Sequence, residues 1–220
     1  MKTLSKAVAM ASLLSAGVMG AQVANAEVEL SAQLDSIYLF RGQDQGTGGL
    51  ISAAIDYSHD SGLYAGTWIA SAPEYDAYVG FAMEAGDVEL DLGVTSYAYP
   101  NAGDGVDSAT GLGEEVEAYL NVGYMGASFH YSHGLEVLED TSYIALGYEV
   151  DNISVTYGMF DAEDVDGATY SHIDLSYGLS DELTLTLSKS MDDSSDAAIA
   201  AEEAAVEDLQ VLVTYVLPIK

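Results

Sequence analysis

From Glu27 onward the chain alternates apolar and polar residues with a period of two. In Asp87–Tyr99, Val88, Leu90, Leu92 and Val94 fall on one face and Glu89, Asp91, Gly93 and Thr95 on the other. Glu74–Ala85 and Glu115–Tyr124 repeat the pattern, as do the runs around Ile173–Leu179 and Leu183–Leu187. Glu27–Gly42 opens the series with Val28, Leu30, Ala32 and Leu34 on one face, and Val206–Leu217 closes it. Leu50–Ser58, Leu63–Ala70, Ala127–His133, Thr141–Val150 and Ile153–Phe160 are less regular but of similar length. A period of two predicts strands, about 12 of them, and no helical stripe.

The connections alternate too. Short turns are expected near His59–Gly62, Ala85–Asp87, Met125–Gly126, Asp151–Asn152 and Leu179–Glu182. Longer loops are expected near Gly42–Gly48, Ser71–Glu74, Pro100–Gly113, Gly134–Asp140, Asp161–Ala168 and Ser190–Ala205. Short turns on one rim and long loops on the other are the habit of an outer-membrane barrel, and an even strand count puts both ends on the short, periplasmic rim.

A soluble sandwich would show the same alternation, with its apolar faces packed together. Three features favour the barrel. The strands have the roughly 9–11 residues that a tilted membrane-crossing strand needs. Many of the 16 tyrosines, among them Tyr38, Tyr57, Tyr64, Tyr75, Tyr97, Tyr99, Tyr124, Tyr143, Tyr157 and Tyr215, fall near strand ends with Trp68, as in an aromatic girdle. Lys189 is the one lysine in a predicted strand, so few cations burden a lipid-facing side. The fold class is therefore all-β: a transmembrane antiparallel barrel over residues 27–220.

Residues 1–26 stand apart. Lys2 and Lys6 precede an apolar stretch, Ala7–Gly20, and Ala24-Asn25-Ala26 has the small-x-small form of a signal-peptidase site. The stretch is shorter than the roughly 20 residues that span a bilayer as a helix, so a cleaved signal peptide is expected, ending at Ala26. No later segment is long and apolar enough for a membrane helix, which leaves strands to cross the membrane. Cleavage leaves Arg41, Lys189 and Lys220 against 36 acidic residues, a formal net charge of −33. Nucleic acid, which needs a basic footprint, is excluded as a partner, and so is docking on anionic lipid through a basic patch. The absence of cysteine removes disulfides and thiolate metal sites.

If apolar side chains face lipid, the opposite face lines a lumen. That face holds Asp35, Asp56, Asp76, Glu84, Glu89, Asp91, Glu117, Glu149 and Asp174, and a carboxylate-lined passage favours cations. Twelve strands lie between small barrels that fill themselves and large ones that hold an open channel, so an occluded interior is the competing expectation. Arg41, the single arginine, is expected to clamp a carboxylate in the barrel mouth or wall. Acid-rich loops at Asp104–Asp107, Asp161–Asp166 and Asp192–Asp196 could hold Ca²⁺ but lack the ordered spacing of a calcium loop, and read better as solvated loops. No cofactor is expected. Ala197–Asp208 suits a short external helix. His130 and Ser132 share a strand face, the minimum for acyl transfer, yet no third group or oxyanion hole accompanies them, and a barrel hydrolase ranks below a passage or a structural barrel. His130 and His133 fall on opposite faces, which argues against a shared zinc.

The run Ser36-Ile37-Tyr38-Leu39-Phe40-Arg41-Gly42 resembles the Tyr-x-Phe-Arg-Gly signature of a proteobacterial group of porin-like outer-membrane proteins, the TorF-like family. Asp56–Trp68, Leu90–Pro100 and Glu115–His133 are similar to its later blocks, in the same order, so the likeness covers roughly residues 34–188. It implies a pore-forming barrel in the outer membrane of a Gram-negative bacterium, assembled by the outer-membrane insertion machinery, with Tyr38, Phe40, Arg41 and Gly42 as a structural signature and no catalytic residues. It implies no particular solute. The chain departs from barrel custom at its end, where Val216-Leu217-Pro218-Ile219-Lys220 replaces a terminal aromatic and Tyr215 is the nearest one. The sequence thus points to passive diffusion of small solutes, with cations preferred. A non-conducting barrel whose acidic external loops bind cations is the alternative.

Overall fold

A computed structural model describes residues 26–100, 110–162, 169–192 and 209–219. Except for Ala26, the segment expected to be a signal peptide lies outside these residues. So do most of the acid-rich loops and the segment expected to be helical. The described residues form β1 (Glu27–Asp35), β2 (Leu39–Phe40), β3 (Gln43–Asp44), β4 (Leu50–Ser58), β5 (Leu63–Ala70), β6 (Tyr75–Ala85), β7 (Val88–Ala98), β8 (Glu115–Tyr124), β9 (Ala127–Glu136), β10 (Thr141–Val150), β11 (Ile153–Ala162), β12 (Tyr170–Gly178), β13 (Leu183–Asp192) and β14 (Gln210–Val216).

β1 and β4–β14 close into a twelve-stranded antiparallel barrel in which each strand pairs with its sequence neighbours, while β2 and β3 form a separate two-stranded hairpin. The alternating pattern sets the register, because a slip of one residue would exchange the two faces of a strand. Tight turns help to set it: Met125 (φ 49°) and Gly126 (φ 85°) both take left-handed backbone, the two-residue geometry that matches strand twist. Closure is asymmetric. β1 pairs with β4 along its whole length, from Glu27 opposite Ser58 to Asp35 opposite Leu50. Against β14 it pairs at Gln33–Val216, Leu34–Tyr215 and Asp35–Thr214, extended by Leu217 N–H to Ala32 C=O at 2.8 Å.

The apolar parity faces outward. Val28 is 65% exposed, Leu92 53% and Leu146 56%, whereas serines, threonines and carboxylates of the other parity are buried. This is the reverse of a soluble sandwich, whose apolar faces would cover one another. Closure gives the strand ladders partners all round, which is what a lipid environment demands of backbone polar groups.

Four expectations change. The first strand does not run to Gly42: it ends at Asp35, and residues 36–49 fold inward carrying the β2–β3 hairpin. The loop-length contrast is weaker than the sequence suggests, because 71–74 and 137–140 are as short as 59–62 and 179–182. β9 continues to Glu136, paired with Glu115, and absorbs part of the loop expected from Gly134. Finally, the tyrosines divide by parity. Tyr57, Tyr124, Tyr148, Tyr177 and Tyr215 are exposed within two residues of a strand end on the short-turn rim, which makes one girdle. Tyr38, Tyr64, Tyr97 and Tyr143 turn inward, joined by Tyr78, Tyr119 and Tyr170. Tyr157 is exposed at mid-strand.

The inner wall as a candidate passage

Register decides which side chains meet inside. Tyr64 faces Gly80 and Tyr78 faces Gly66 across β5 and β6. Tyr119 faces Gly93 across β7 and β8, and His172 faces Gly158 across β11 and β12. A Cβ at any of these glycines would strike the ring opposite. Glycine therefore lets each ring lie flat along the wall instead of standing into the lumen. Flat rings reach across an intervening strand. Tyr78 donates to Asp56 on β4. Tyr64 donates to Asp91 Oδ1 on β7 at 2.5 Å and meets the Tyr119 hydroxyl on β8. Tyr143 stacks on His172 with ring centroids 5.9 Å apart, and its hydroxyl lies 2.8 Å from Nε2.

The nine acids expected to face the lumen all share the inward parity of their strands, but their settings differ. Asp35 accepts from Thr214 Oγ1 at 2.6 Å and Gln33 Nε2 at 2.8 Å. Asp56 is held by Tyr78. Asp91 is held by Tyr64 and by Asn121 Nδ2 at 2.9 Å. Asp174 sits 3.2 Å from His172 Nδ1 in the buried wall. Glu117 takes both guanidinium nitrogens of Arg41, at 2.9 and 2.5 Å, and the Tyr97 hydroxyl at 3.0 Å. Glu84 and Glu89 face each other across β6 and β7 at the short-turn rim and are exposed. Glu149 is half-buried near the same rim, opposite Ser154. Asp76 is buried with an oxygen that meets no donor.

The signature residues converge inside the barrel. Tyr38 donates to Glu74 Oε2 at 2.7 Å and packs 6.2 Å from Trp68, measured between ring centroids. Phe40 meets Tyr97 edge-on. The Arg41 guanidinium lies 4.7 Å from the Phe40 ring and 4.6 Å from that of Tyr143, and it donates to Ser132 Oγ at 3.1 Å as well as to Glu117. Gly42 has a φ of 80° and presses on His172, and its carbonyl accepts from Ser190 Oγ at 2.7 Å. Residues 36–49 therefore cross from β1 to touch β8, β9, β10, β12 and β13. The expected clamp at Arg41 is present, within the lumen. The same contacts answer the hydrolase idea: Ser132 is held by Arg41, and His130 Nδ1 lies 2.6 Å from Asn121 Oδ1, so the two do not pair as nucleophile and base.

Glu74 was not legible as an inner residue. It lies in the connection before β6 and gathers Tyr38 and Tyr99, the latter at 3.0 Å. Burial pushes its carboxyl above the usual range, and the two hydroxyls oppose that shift. The tyrosine–glycine interlock had a signal: Tyr64-Ala65-Gly66 and Tyr78-Val79-Gly80 are matching Tyr-x-Gly triplets on neighbouring strands.

An apolar outer belt, a polar inner wall and an inward-folded first connection define a porin-like β-barrel. The chain belongs to the Gcw_chp family, described as bacterial proteins of unknown function, whose family model matches residues 21–211. No curated protein matches it. Among solved structures it is similar to the KdgM porin, at 8% identity and a TM-score of 0.52, over 87% of this chain and 99% of that one. Weaker likenesses include OccK8 (OprE) of Pseudomonas aeruginosa, at 14% identity and a TM-score of 0.39, over 88% of this chain and 68% of that one. Another is a mutant of the Rh. blastica porin, at 9% identity and a TM-score of 0.41, over 87% and 100% of the two chains. At such identities the likeness is one of fold. The TorF-like name suggested by the signature is not confirmed; the porin-like fold expected with it is.

Proposed function

We propose that this barrel is an outer-membrane passage for small hydrophilic solutes and that it prefers cations. The observation that carries the reading is the inner wall: it is rich in carboxylates, and the one arginine that reaches it is spent on Glu117. Asp35, Asp56, Asp91 and Asp174, with Glu84, Glu89 and Glu149 toward the short-turn rim, give a field that draws cations and repels anions. Binding and size act here, without bond chemistry or a cofactor. Residues 1–26 are read as an export signal, and the short-turn rim, where β1 begins, as periplasmic. Outer-membrane lipid and the insertion machinery are then the partners in assembly.

A second reading has its own observation. Residues 36–49 reach from β1 to the far wall, so the passage is narrow at Arg41, and a barrel that conducts little is the alternative. Liposome swelling with sized solutes separates the two. The proposal expects entry of small neutral solutes, with cationic ones faster than anionic ones of equal size. No swelling at any size, or anions ahead of cations, would overturn it.

A further inference from the structure

One part of the inner wall gathers buried carboxyl groups with no basic side chain beside them. Asp76 on β6 is 7% exposed, and its Oδ1 has no hydrogen-bond donor. Thr95 on β7 is 1% exposed, and its Oγ1 also lacks a partner. Because Asp76 faces Tyr97 and Tyr78 faces Thr95, the two are diagonal neighbours on the inner face. Glu74, two residues before Asp76, is buried as well and close enough to act on it electrostatically. Its partners, Tyr38 and Tyr99, are neutral donors.

The described residues contain two lysine or arginine side chains. Arg41 is bound to Glu117, and Lys189 lies exposed on the outward parity of β13. Taking an ionised carboxylate out of water without a partner costs several kcal/mol. Asp76, with one such orphan oxygen, stands beside a threonine hydroxyl with no partner of its own and beside the buried carboxyl of Glu74, and together they make a set of oxygen donors that lacks its positive centre. Carboxylate and hydroxyl oxygens suit hard cations and not thiophilic metals.

We propose that Asp76 and Thr95, with Glu74 beside them, bind a hard cation on the inner wall. The site rests on the lumenal reading of this face and not on conduction. Two carboxylates and one hydroxyl fall short of a dedicated chelate, so the affinity expected for calcium is weak, on the order of 0.1–1 mM.

The test is equilibrium dialysis of calcium, at constant ionic strength, against the folded barrel in detergent. Wild type, Asp76→Asn, Thr95→Val and Glu89→Gln are compared, so that diffuse binding by the many other acids cancels. Wild type should exceed Asp76→Asn by one saturable calcium per barrel. Thr95→Val should keep that calcium with affinity weakened on the order of tenfold. Glu89→Gln, which removes an exposed rim carboxylate, should match wild type. Identical isotherms for wild type and Asp76→Asn, or equal losses in Asp76→Asn and Glu89→Gln, would overturn the site. Reversal potentials of the same proteins keep the two proposals apart: a saturable calcium at Asp76 in a barrel without cation preference sinks the passage reading alone. Cation preference without that calcium sinks the site alone.

Discussion

Replacing Arg41 by alanine is expected to destabilise the barrel by about 3–5 kcal/mol, the usual effect of breaking a buried ion pair from one side. The guanidinium and Glu117 side chains are 10% and 6% exposed, and two charge-assisted hydrogen bonds join them. Alanine would leave Glu117 buried with Tyr97 as its remaining donor, and would empty the space between Phe40 and Tyr143. It would also free residues 36–49 from the far wall, so conductance should rise as stability falls. Arg41→Lys keeps the charge but loses the planar fork and should fall between the two. The double variant Arg41→Ala/Glu117→Gln should recover part of the loss, because no buried charge is then left alone. Urea unfolding in micelles, followed by the separation of folded and unfolded bands on a gel, measures the stabilities. A loss below about 1 kcal/mol, as for an exposed pair, would show that Arg41 does not hold the segment inside.

The second large effect belongs to the outer face. Leu92 sits near the middle of β7 and points outward. Leu92→Arg should cost about 2–4 kcal/mol in lipid, the penalty for a cation at the bilayer midplane. Val137→Arg is the control. Val137 is even more open to the surroundings than Leu92, but it lies in the connection after β9, where the penalty falls to about 0–1 kcal/mol. Folding yield into vesicles from urea measures both. In a soluble protein two exposed apolar residues would tolerate arginine alike, so equal yields would contradict the lipid-facing assignment.

The strands were readable because a barrel wall has one period and two solvents. Val88–Val94 shows this in seven residues, with lipid on one side and polar interior on the other. The fate of Ser36–Gly42 was not readable. Its residues continue the apolar alternation of β1, and what turns them inward are partners distant in the chain: Glu117, Ser132 and Ser190. Parity puts all nine candidate acids on the polar side of their strands, but parity carries no information on what a carboxylate meets. Asp91 with two donors and Asp76 with an orphan oxygen look alike in sequence. The tyrosines misled for a related reason. Tyr57 and Tyr64 are both near strand ends, yet opposite parity sends one to the girdle and the other, over Gly80, to the wall.

The chain has no cysteine, so single cysteines can be placed along β12 and spin-labelled without background. Accessibility of the labels to oxygen and to a water-soluble nickel chelate, measured in lipid vesicles, tests the two-faced wall most directly. Labels at 173, 175 and 177 should be open to oxygen and shielded from nickel, and labels at 172, 174 and 176 should not follow oxygen. Nickel reaching 173, 175 and 177 freely, with no alternation between neighbours, would mean that this face meets water and that the strands do not line a membrane passage.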